Sequence, residues 1–273
     1  MADETLTLQE TADRLGLHYM TVYRWVRTGL LPAVKENGVW RVRAEDADAR
    51  VEVDVQPDPK PRSRRRVDHS ARLTDRLLAG DEGGATRVVD DALAGGVSAE
   101  DLSLDIITDA LRQIGESWAR GDTSVAEEHQ ASVIATRLVG RLAPHFVRRG
   151  RKRGTIVLGT VAGDQHGMPV TLLAGPLRGR GHRVIELGAN TPPDACAETV
   201  SREGPVVAVG VFTGFSQEAV VAETVAAVRA VAPDVPIVVG GAGVADREQA
   251  EALGADAFSV DGRTAVALLT DTA

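Results

Sequence analysis

The first fifty residues show the spacing of two short helices followed by a hairpin. Apolar residues in "LTLQETADRLGL" and "HYMTVYRWVRTG" recur at helical intervals, with Leu8 and Ala12 facing inward in the first stretch and Val22 and Val26 in the second. The stretch "LLPAVKENGVWRVRAEDADA" alternates apolar and basic residues around Asn-Gly, which is typical of a β-hairpin. Residues 1–50 are therefore predicted to form one small domain.

The spacing changes twice more downstream. Residues 71–150 contain four apolar-periodic stretches separated by Gly or Gly-Asp, which predicts an antiparallel four-helix bundle. Residues 151–273 contain the β-branched runs "GTIVLGTV", "HRVIELGA", "VVAVGVFT" and "PIVVGGAG", with "DAFSV" as a weaker fifth and helical segments between them. Such alternation predicts an α/β domain, in which helices cover both faces of a parallel sheet.

Residues 51–70 differ from both neighbours and are predicted to be a linker. Three prolines in "VQPDPKPRSRRRVDHS" favour an extended connector, and a basic cluster follows at Lys60, Arg62, Arg64, Arg65 and Arg66. These cations could contact DNA phosphates without reading sequence, or they could form a solvated charge run without a partner. The sequence leaves both interpretations open.

Composition limits the class of protein. Of the 273 residues, 43% are hydrophobic and 26% are charged, which is typical of a globular, multidomain protein. The single cysteine, Cys196, excludes a disulfide framework and a cysteine-rich metal site, and it indicates a reducing compartment. The sequence has no apolar run long enough to span a bilayer, and its first ten residues do not resemble a signal peptide. We therefore expect a cytoplasmic protein without a membrane partner.

The N-terminal pattern resembles the winged helix-turn-helix of excisionases and MerR-family regulators. The helix, the turn, the second helix, "GLLP" and the "WRV" wing occur in the expected order. The resemblance implies that the second helix enters the major groove of double-stranded operator DNA and that the wing contacts the backbone. The alternative is a helical hairpin with solvated ion pairs, since residues 1–50 carry 7 Lys and Arg against 8 Asp and Glu. The candidate DNA contacts are Thr21, Tyr23, Arg24, Arg27, Arg41 and Arg43.

A histidine-containing turn follows the first predicted strand of the α/β domain. In "TVAGDQHGMPV", Asp164 stands two residues before His166, so its carboxylate could accept the second N–H of the imidazole and fix the tautomer. Gly163 and Gly167 allow a large group to approach the backbone. Open α/β sheets bind ligands beyond the carboxyl ends of their strands, where this turn is predicted to lie. The alternative is an ordinary loop pair without a ligand.

Two further patterns accompany this turn. The strand "VPIVVGGAGV" runs directly into Gly240 and Gly241, which is expected to leave space against the sheet where a side chain would block it. The bundle contains Trp118 and, with nine residues between, Glu128 followed by His129. By themselves these residues are weak signals, because a tryptophan in a bundle usually belongs to the core and a Glu-His pair usually lies at the surface.

About the last two hundred residues resemble the cobalamin-binding module of corrinoid proteins and methionine synthase, a helical bundle that caps a Rossmann-like domain. With the helix-turn-helix, the whole chain resembles the CarH/LitR type of cobalamin-dependent MerR-family regulator. The resemblance implies that His166 is the lower ligand of cobalt with Asp164 behind it, that residues of the bundle cover the upper face of the corrin, and that a slot beside the sheet holds the nucleotide tail. The expected cofactor-binding residues are Trp118, Glu128, His129, Asp164, His166, Gly167, Thr213, Gly240 and Gly241.

The sequence departs from the family pattern at three positions. Pro169 stands where the family turn has glycine, and "FTGFS" replaces the Ser-x-Leu of the third strand, so that Thr213 is an approximate match. Ala119 follows the bundle tryptophan, where light-sensing members can have a histidine that takes the cobalt after photolysis. His145 and His182 match no motif and are predicted to lie at the surface.

These patterns predict a cobalamin-binding transcription regulator, not an enzyme, that binds operator DNA as a homo-oligomer, either a dimer or a tetramer. No set of nucleophile, base and oxyanion donors is discernible, so the corrinoid is expected to be a sensory ligand. Adenosylcobalamin is the expected form and would allow a response to light; methylcobalamin or another corrinoid is the alternative. The rival functions are a corrinoid subunit of a methyltransferase or mutase, which would not need residues 1–50, and a regulator with a degenerate cobalamin fold that senses another ligand.

Overall fold

The computed structural model describes residues 5–15, 22, 25–26, 31–36, 39–48 and 68–271. These residues form two units. One comprises the described part of residues 1–68 together with Glu116–Thr123, and the other comprises His69–Gly115 and the described residues from Ser124 onward. None of the described helices combines the length and apolarity needed to cross a membrane. The candidate DNA contacts Thr21, Tyr23, Arg24 and Arg27, and the linker cations between residues 60 and 66, lie outside the described residues.

The N-terminal unit contains a three-stranded antiparallel sheet and a short helix. The strands are β1 (Thr5–Thr7), β2 (Ala33–Glu36) and β3 (Val39–Arg43), paired in the order β1-β3-β2, and α1 spans Leu8–Leu15. The β2-β3 hairpin is the predicted one, whereas β1 is not predicted because three residues are too few to show a period. Val22 and Val26 are buried together with Leu8 and Ala12, which confirms their predicted inward positions.

The bundle consists of the four predicted helices, the third of which is built from three segments. These are α2 (His69–Leu78), α3 (Glu82–Ala94), α4 (Ala99–Asp101) continued by a π-helical segment (Leu102–Ile107) and α5 (Thr108–Ala119), and α6 (Val125–Leu142), followed by a 3-10 turn (Ala143–Phe146). Large apolar side chains such as Leu77, Leu102 and Leu138 fill the core. A capping box between Ser124 and Glu127 starts α6 and satisfies backbone N–H groups of its first turn.

The C-terminal part of the chain forms a five-stranded parallel sheet with helices on both faces. The strands are β4 (Thr155–Val161), β5 (Arg183–Thr191), β6 (Val206–Phe212), β7 (Ile237–Gly240) and β8 (Ala257–Ser259), and the helices are α7 (Met168–Gly179), α8 (Pro193–Arg202), α9 (Glu218–Val231), α10 (Arg247–Ala252) and α11 (Gly262–Asp271). Ile156 packs with α7 and α11 on one face, and Val157 packs with α8 and α9 on the other. The predicted fold class, with its helix-turn-helix region, helical bundle and Rossmann-like sheet, is confirmed.

The strand order β5-β4-β6-β7-β8 creates a crevice between β4 and β6, because the chain leaves β4 toward one edge of the sheet and later returns to its other side. In open α/β sheets, ligands bind at such a switch point, at the carboxyl ends of the strands. Thr160 of β4 pairs with Phe212 of β6, and Val161 of β4 pairs with Thr191 of β5. The loops that follow these three strands therefore leave the sheet at the same level.

The π-helical segment attaches the bundle to the sheet domain within the larger unit. Leu104 of this segment belongs to the same core cluster as Leu173 of α7. Arg263 near the start of α11 forms ion pairs with Asp101 and Asp105, and its Nε donates to Asp105 at 2.8 Å. The bundle and the sheet domain thus contact each other through apolar side chains, with an ion-pair cluster at Arg263 beside them.

His182 corrects one of the sequence predictions. It precedes β5 and is only 1% exposed, whereas it was expected at the surface; His145 is exposed, as predicted. The residue lines a cavity together with Phe146 of the 3-10 turn and Val184 of β5. The burial therefore arises from segments that are distant in sequence, which the local pattern around His182 does not reveal.

Candidate functional site

Asp164 and His166 are joined by two hydrogen bonds in the turn after β4. The Oδ1 atom of Asp164 lies 2.7 Å from Nδ1 of His166 and accepts a 2.9 Å hydrogen bond from the His166 backbone N–H. The Asp164 side chain is fully buried, whereas 58% of the His166 side chain is exposed. The predicted pair is present. Because the Asp164 carboxylate accepts the hydrogen bond of Nδ1–H, the lone pair of the ring is on Nε2. Nε2 has no hydrogen-bond partner among the described residues and belongs to an exposed ring.

Asp164 also ties its turn to the loop after β6. Its Oδ2 atom accepts a 2.6 Å hydrogen bond from the Gly214 backbone N–H. Burial disfavours the charged carboxyl, but hydrogen bonds from the Gly214 and His166 amides and from the His166 ring outweigh it, so the pKa of Asp164 lies below its ordinary value. Asp164 is therefore a carboxylate at neutral pH and connects two loops at the switch point.

The end of β5 supports the same turn from the other side. The side-chain oxygen of Asn190 accepts a 2.6 Å hydrogen bond from the Gly163 N–H. The Asn190 N–H donates to the Asp164 carbonyl at 2.8 Å, and the Thr160 hydroxyl donates to that carbonyl at 3.1 Å. Asn190 has a φ of 53°, a left-handed conformation that asparagine tolerates better than most residues. Asn190 and Thr160 were not predicted from the sequence. For Asn190, the Gly-Ala-Asn run at the end of β5 was the available signal.

An aromatic ring stands beside the imidazole. The ring centroids of Phe215 and His166 are 5.1 Å apart and the rings are inclined by 65°, which is an edge-to-face arrangement. Phe215 is 55% exposed, so it borders the face of the site that is open to solvent. Phe215 was not predicted from the sequence, although it takes the position of the leucine in the Ser-x-Leu pattern. The aromatic residue at that position is the signal that was available.

Thr213 has a role in shaping the same loop. Its side chain is buried, and its hydroxyl donates a 2.9 Å hydrogen bond to the carbonyl of Phe215. The Phe215 N–H in turn donates to the Thr213 hydroxyl at 3.3 Å. In the structure Thr213 therefore shapes the loop that carries Phe215, and its expected contact with a nucleotide tail stays a prediction.

The glycines after β7 bring two loops into direct contact. A Cβ atom at Gly241, where φ is +96°, would lie 2.2 Å from the Thr213 carbonyl oxygen. At Gly243, which the sequence analysis did not single out, a Cβ atom would lie 1.8 Å from the Phe215 carbonyl oxygen. The expectation that Gly240 and Gly241 leave open space is wrong for the positions that their Cβ atoms would take, because other protein atoms already occupy those positions. Glycine is required here for close approach of two backbones, and a contact of Gly240 and Gly241 with a cofactor stays a prediction.

Gly167 and Pro169 start the helix that follows the turn. The Gly167 N–H donates to the Gln165 carbonyl at 3.1 Å, and a Cβ atom on Gly167 would lie 3.4 Å from the backbone nitrogen of Ala189. Pro169 is in the first turn of α7, where its missing N–H leaves no helical hydrogen bond unmade. The departure from the family pattern at Pro169 is therefore compatible with the local fold.

The three residues predicted to cover the corrin lie on α5 and α6. Trp118 is 50% exposed and belongs to the segment Glu116–Thr123, which groups with the N-terminal unit. In the first turn of α6, Glu128 accepts a 2.7 Å hydrogen bond from Ser132, and its other oxygen lies 3.6 Å from Nε2 of the exposed His129. The exposure of Trp118 argues against a role as a core residue. The position of these residues above a corrin stays a prediction.

Arg41 and Arg43, the candidate DNA contacts on the wing, differ in their surroundings. Arg43 lies between Glu45 at 3.0 Å and Asp46 at 2.8 Å. Arg41 has a longer contact of 3.9 Å with Glu10. For Arg43, these ion pairs agree with the alternative that the basic residues form solvated ion pairs instead of contacting DNA. Arg41 has only the longer contact with Glu10 among the described ion pairs.

Three family models match the chain. Residues 70–143 and residues 154–270 each match a model described as a B12 binding domain, and residues 5–52 match a helix-turn-helix domain. The chain carries a cobalamin-binding module behind a helix-turn-helix domain. The expected cobalamin binding and the expected helix-turn-helix are thus both supported.

Proteins similar to this module include corrinoid proteins. The chain is 26% identical over 188 residues to the trimethylamine corrinoid protein of Methanosarcina barkeri, which covers 67% of this chain and 86% of that protein. It is 25% identical over 185 residues to the methionine synthase of Mycobacterium leprae, which covers 63% of this chain and 15% of that protein. The structure of the Methanosarcina barkeri monomethylamine corrinoid protein aligns with a TM-score of 0.61 at 17% identity over 74% of this chain and 96% of that one, and shows the shared fold.

Proposed function

We propose that this protein is a cobalamin-dependent transcription regulator of the CarH/LitR type. The observation that carries the proposal is the exposed His166 imidazole, held at Nδ1 by the buried Asp164, in a chain that also matches a helix-turn-helix domain. An imidazole with one nitrogen bound to a carboxylate and the other available is the donor set of a histidine metal ligand, so the residues fit a corrinoid whose cobalt takes Nε2 as its lower ligand.

Each residue of the site would have a distinct task. His166 would bind through Nε2, Asp164 would hold the proton on Nδ1, and Phe215 would restrict the orientation of the ring. Trp118, Glu128 and His129 would contact the group on the upper face. When bound, cobalamin supplies a cobalt–carbon bond that light can cleave, which would remove that group and the contacts it makes.

The corrinoid would act as a sensory ligand. A ligand that binds one arrangement of the chain better than another shifts the population toward that arrangement, and this is how binding would reach the DNA. One winged unit offers a single short recognition helix, so we propose that a dimer or tetramer binds repeated half-sites. Arg41 would contact the DNA backbone from the wing.

Absorption spectroscopy of the purified chain with adenosylcobalamin tests the lower ligand. We expect a base-off, His-on spectrum, which His166→Ala should abolish while it weakens corrinoid binding. The exposed His145 provides a matched control, because His145→Ala should leave spectrum and affinity unchanged. A wild-type spectrum in the His166→Ala variant would overturn the assignment, and absence of corrinoid binding by the wild type would favour the degenerate-fold alternative.

Illumination of the adenosylcobalamin complex tests the regulatory part. Spectrum, oligomer mass and binding to DNA selected from a random-sequence library should change together on photolysis. An unchanged oligomer and unchanged DNA affinity after complete photolysis would exclude light as the signal. A chain that binds no duplex DNA with or without corrinoid would exclude the regulator itself.

A corrinoid subunit of a methyltransferase is the second candidate function. The match that covers 86% of the trimethylamine corrinoid protein favours it, whereas the helix-turn-helix match over residues 5–52 favours the regulator. Such a subunit would pass a methyl group between partner proteins and would not bind DNA specifically. Sequence-selective DNA binding by the purified chain would therefore decide for the regulator.

A further inference from the structure

A basic cavity lies at the opposite end of the sheet from the His166 turn. It has a volume of about 270 Å³ and is formed by the 3-10 turn and the connector that follows the bundle, the end of α7 and the start of β5. The nine residues of β5 lead from Arg183 at this cavity to Thr191 near the His166 turn, on the order of 26 Å at the usual strand rise. The cavity is therefore separate from the candidate cobalamin site.

The charges that line this cavity are all positive. The lining cations are Arg148, Lys152, Arg178 and Arg183, and no carboxylate is among the lining residues. Glu186 pairs with Arg178 at 2.6 Å, and Glu203 pairs with Arg183 at 2.7 Å. For Arg148 and Lys152, no acidic partner lies within ion-pair distance among the described residues; Lys152 Nζ donates to the Arg148 carbonyl at 3.1 Å. The cavity thus carries an excess of positive charge.

His182 adds an unsatisfied polar side chain to the same lining. It is 1% exposed, and neither ring nitrogen has a hydrogen-bond partner among the described residues. Burial, together with the charge of Arg153, holds the pKa of His182 below its ordinary value, so the ring is neutral at physiological pH. A buried polar group without a partner is costly, and an acceptor oxygen close to the imidazole N–H would relieve that cost.

We propose that this cavity binds a small anion that carries a phosphate group. Arginine and lysine side chains are the usual ligands of phosphate oxygens. Here two such residues of the connector and two of the sheet domain line one cavity. A cavity of about 270 Å³ suits a phosphate or diphosphate with a small organic part, which would contact the apolar wall at Phe146, Val147 and Val184. Inorganic phosphate and a phosphorylated metabolite share this chemistry.

The occupant would join two parts of the larger unit. Arg148 and Lys152 belong to the connector between the bundle and the sheet, whereas Arg178 and Arg183 belong to α7 and β5. An anion that contacts both pairs would reduce the freedom of the connector relative to the sheet. This site does not depend on the proposed cobalamin binding or DNA binding.

Calorimetric titration of the full chain with inorganic pyrophosphate tests the proposal, with phosphate, sulfate, a nucleoside diphosphate and duplex DNA as further arms. We expect saturable binding that Arg148→Gln and Lys152→Gln each weaken about tenfold, as for loss of a charge-assisted hydrogen bond. Lys152→Arg should retain most of the affinity. The exposed bundle residue Arg87 provides the matched control, and Arg87→Gln should leave binding unchanged.

Histidine NMR provides a readout within the cavity. The His182 ring signals, assigned with a His182→Gln variant, should shift on addition of pyrophosphate in the wild type and stay unchanged in Lys152→Gln. Binding that neither cavity variant weakens, or that leaves the His182 signals in place, would overturn the proposal. Equal affinity for sulfate and pyrophosphate would mean that the site binds an adventitious ion only. If the cavity variants weaken the binding of DNA but not that of pyrophosphate, these cations would belong to a nucleic-acid site instead.

Discussion

The Phe215 ring meets the His166 imidazole edge-on, with 5.1 Å between the ring centroids. The contact joins the loop after β6 to the turn after β4, at the point where the strand order reverses. The imidazole is otherwise exposed on this side, so the aromatic edge restricts the orientations that it can adopt. We therefore expect Phe215 to position His166, separately from the carboxylate that lies at Nδ1.

We expect Phe215→Leu, which restores the family pattern, to loosen the imidazole. Edge-to-face pairs contribute about 0.5–1.5 kcal/mol beyond burial, so corrinoid affinity should fall by about two- to tenfold. Without corrinoid, the His166 ring protons should lose the ring-current shift that Phe215 causes, which NMR measures directly. Val231→Ala, at another exposed apolar residue, is the control. Unchanged His166 proton shifts in Phe215→Leu would contradict the positioning role.

Asp164 should contribute to stability only while it is ionised. Its pKa is lowered in the folded state, so this contribution is fully present above the unfolded pKa of about 4 and is lost as the pH falls through the lower folded pKa. Asp164→Asn should lower the free energy of unfolding by about 1–3 kcal/mol at pH 7. Urea unfolding of both proteins at pH 7 and at about pH 3 measures this. A difference of the same size at both pH values would show that charge is not the cause.

Two glycine-to-alanine substitutions should have opposite effects. In Gly243→Ala the new methyl group would meet the Phe215 carbonyl oxygen at 1.8 Å, so the sheet domain should lose about 1–3 kcal/mol as for other overpacked sites. At Gly140 in α6 nothing lies within 4 Å of the new Cβ, and Gly140→Ala should stabilise the bundle by about 0.5–1 kcal/mol. Thermal unfolding of the two variants and the wild type measures whether each substitution lowers or raises stability. A neutral Gly243→Ala would mean that the two loops can separate without cost.

The two wing arginines should respond differently to removal. Arg41→Ala should weaken DNA binding for all sequences alike and reduce the slope of log affinity against log salt by about 1, because a phosphate contact carries no sequence information. Arg43→Ala should instead destabilise the N-terminal unit slightly, since Arg43 is paired with Glu45 and Asp46. DNA titrations at several salt concentrations and thermal unfolding separate the two effects. Equal loss of DNA affinity in both variants, with stability unchanged, would assign both arginines to the DNA.

Sequence spacing predicted those parts of the molecule that depend on near neighbours. The helical spacing of apolar residues located the four bundle helices, because each helix buries one face. The β-branched runs located the five strands of the parallel sheet, because helices cover both faces of that sheet. The Asp164–His166 hydrogen bond was predictable for the same reason, as the two residues stand two positions apart in one turn. The three-residue strand β1 was too short to show a period.

Tertiary structure decided everything that joins loops distant in sequence. Gly214 lies 50 positions from Asp164 and yet supplies a backbone donor to its carboxylate, and Gly163 donates to Asn190 from 27 positions away. Phe215 reaches His166, and Gly243 is confined by Phe215, because parallel strands bring separate loops to one end of the sheet. At the opposite end, His182 is buried beside the connector that follows the bundle. The spacing of apolar residues shows which side of a helix or strand is buried. Which loops contact each other depends instead on the order of the strands in the sheet. The sequence alone predicted the class of fold but not this order.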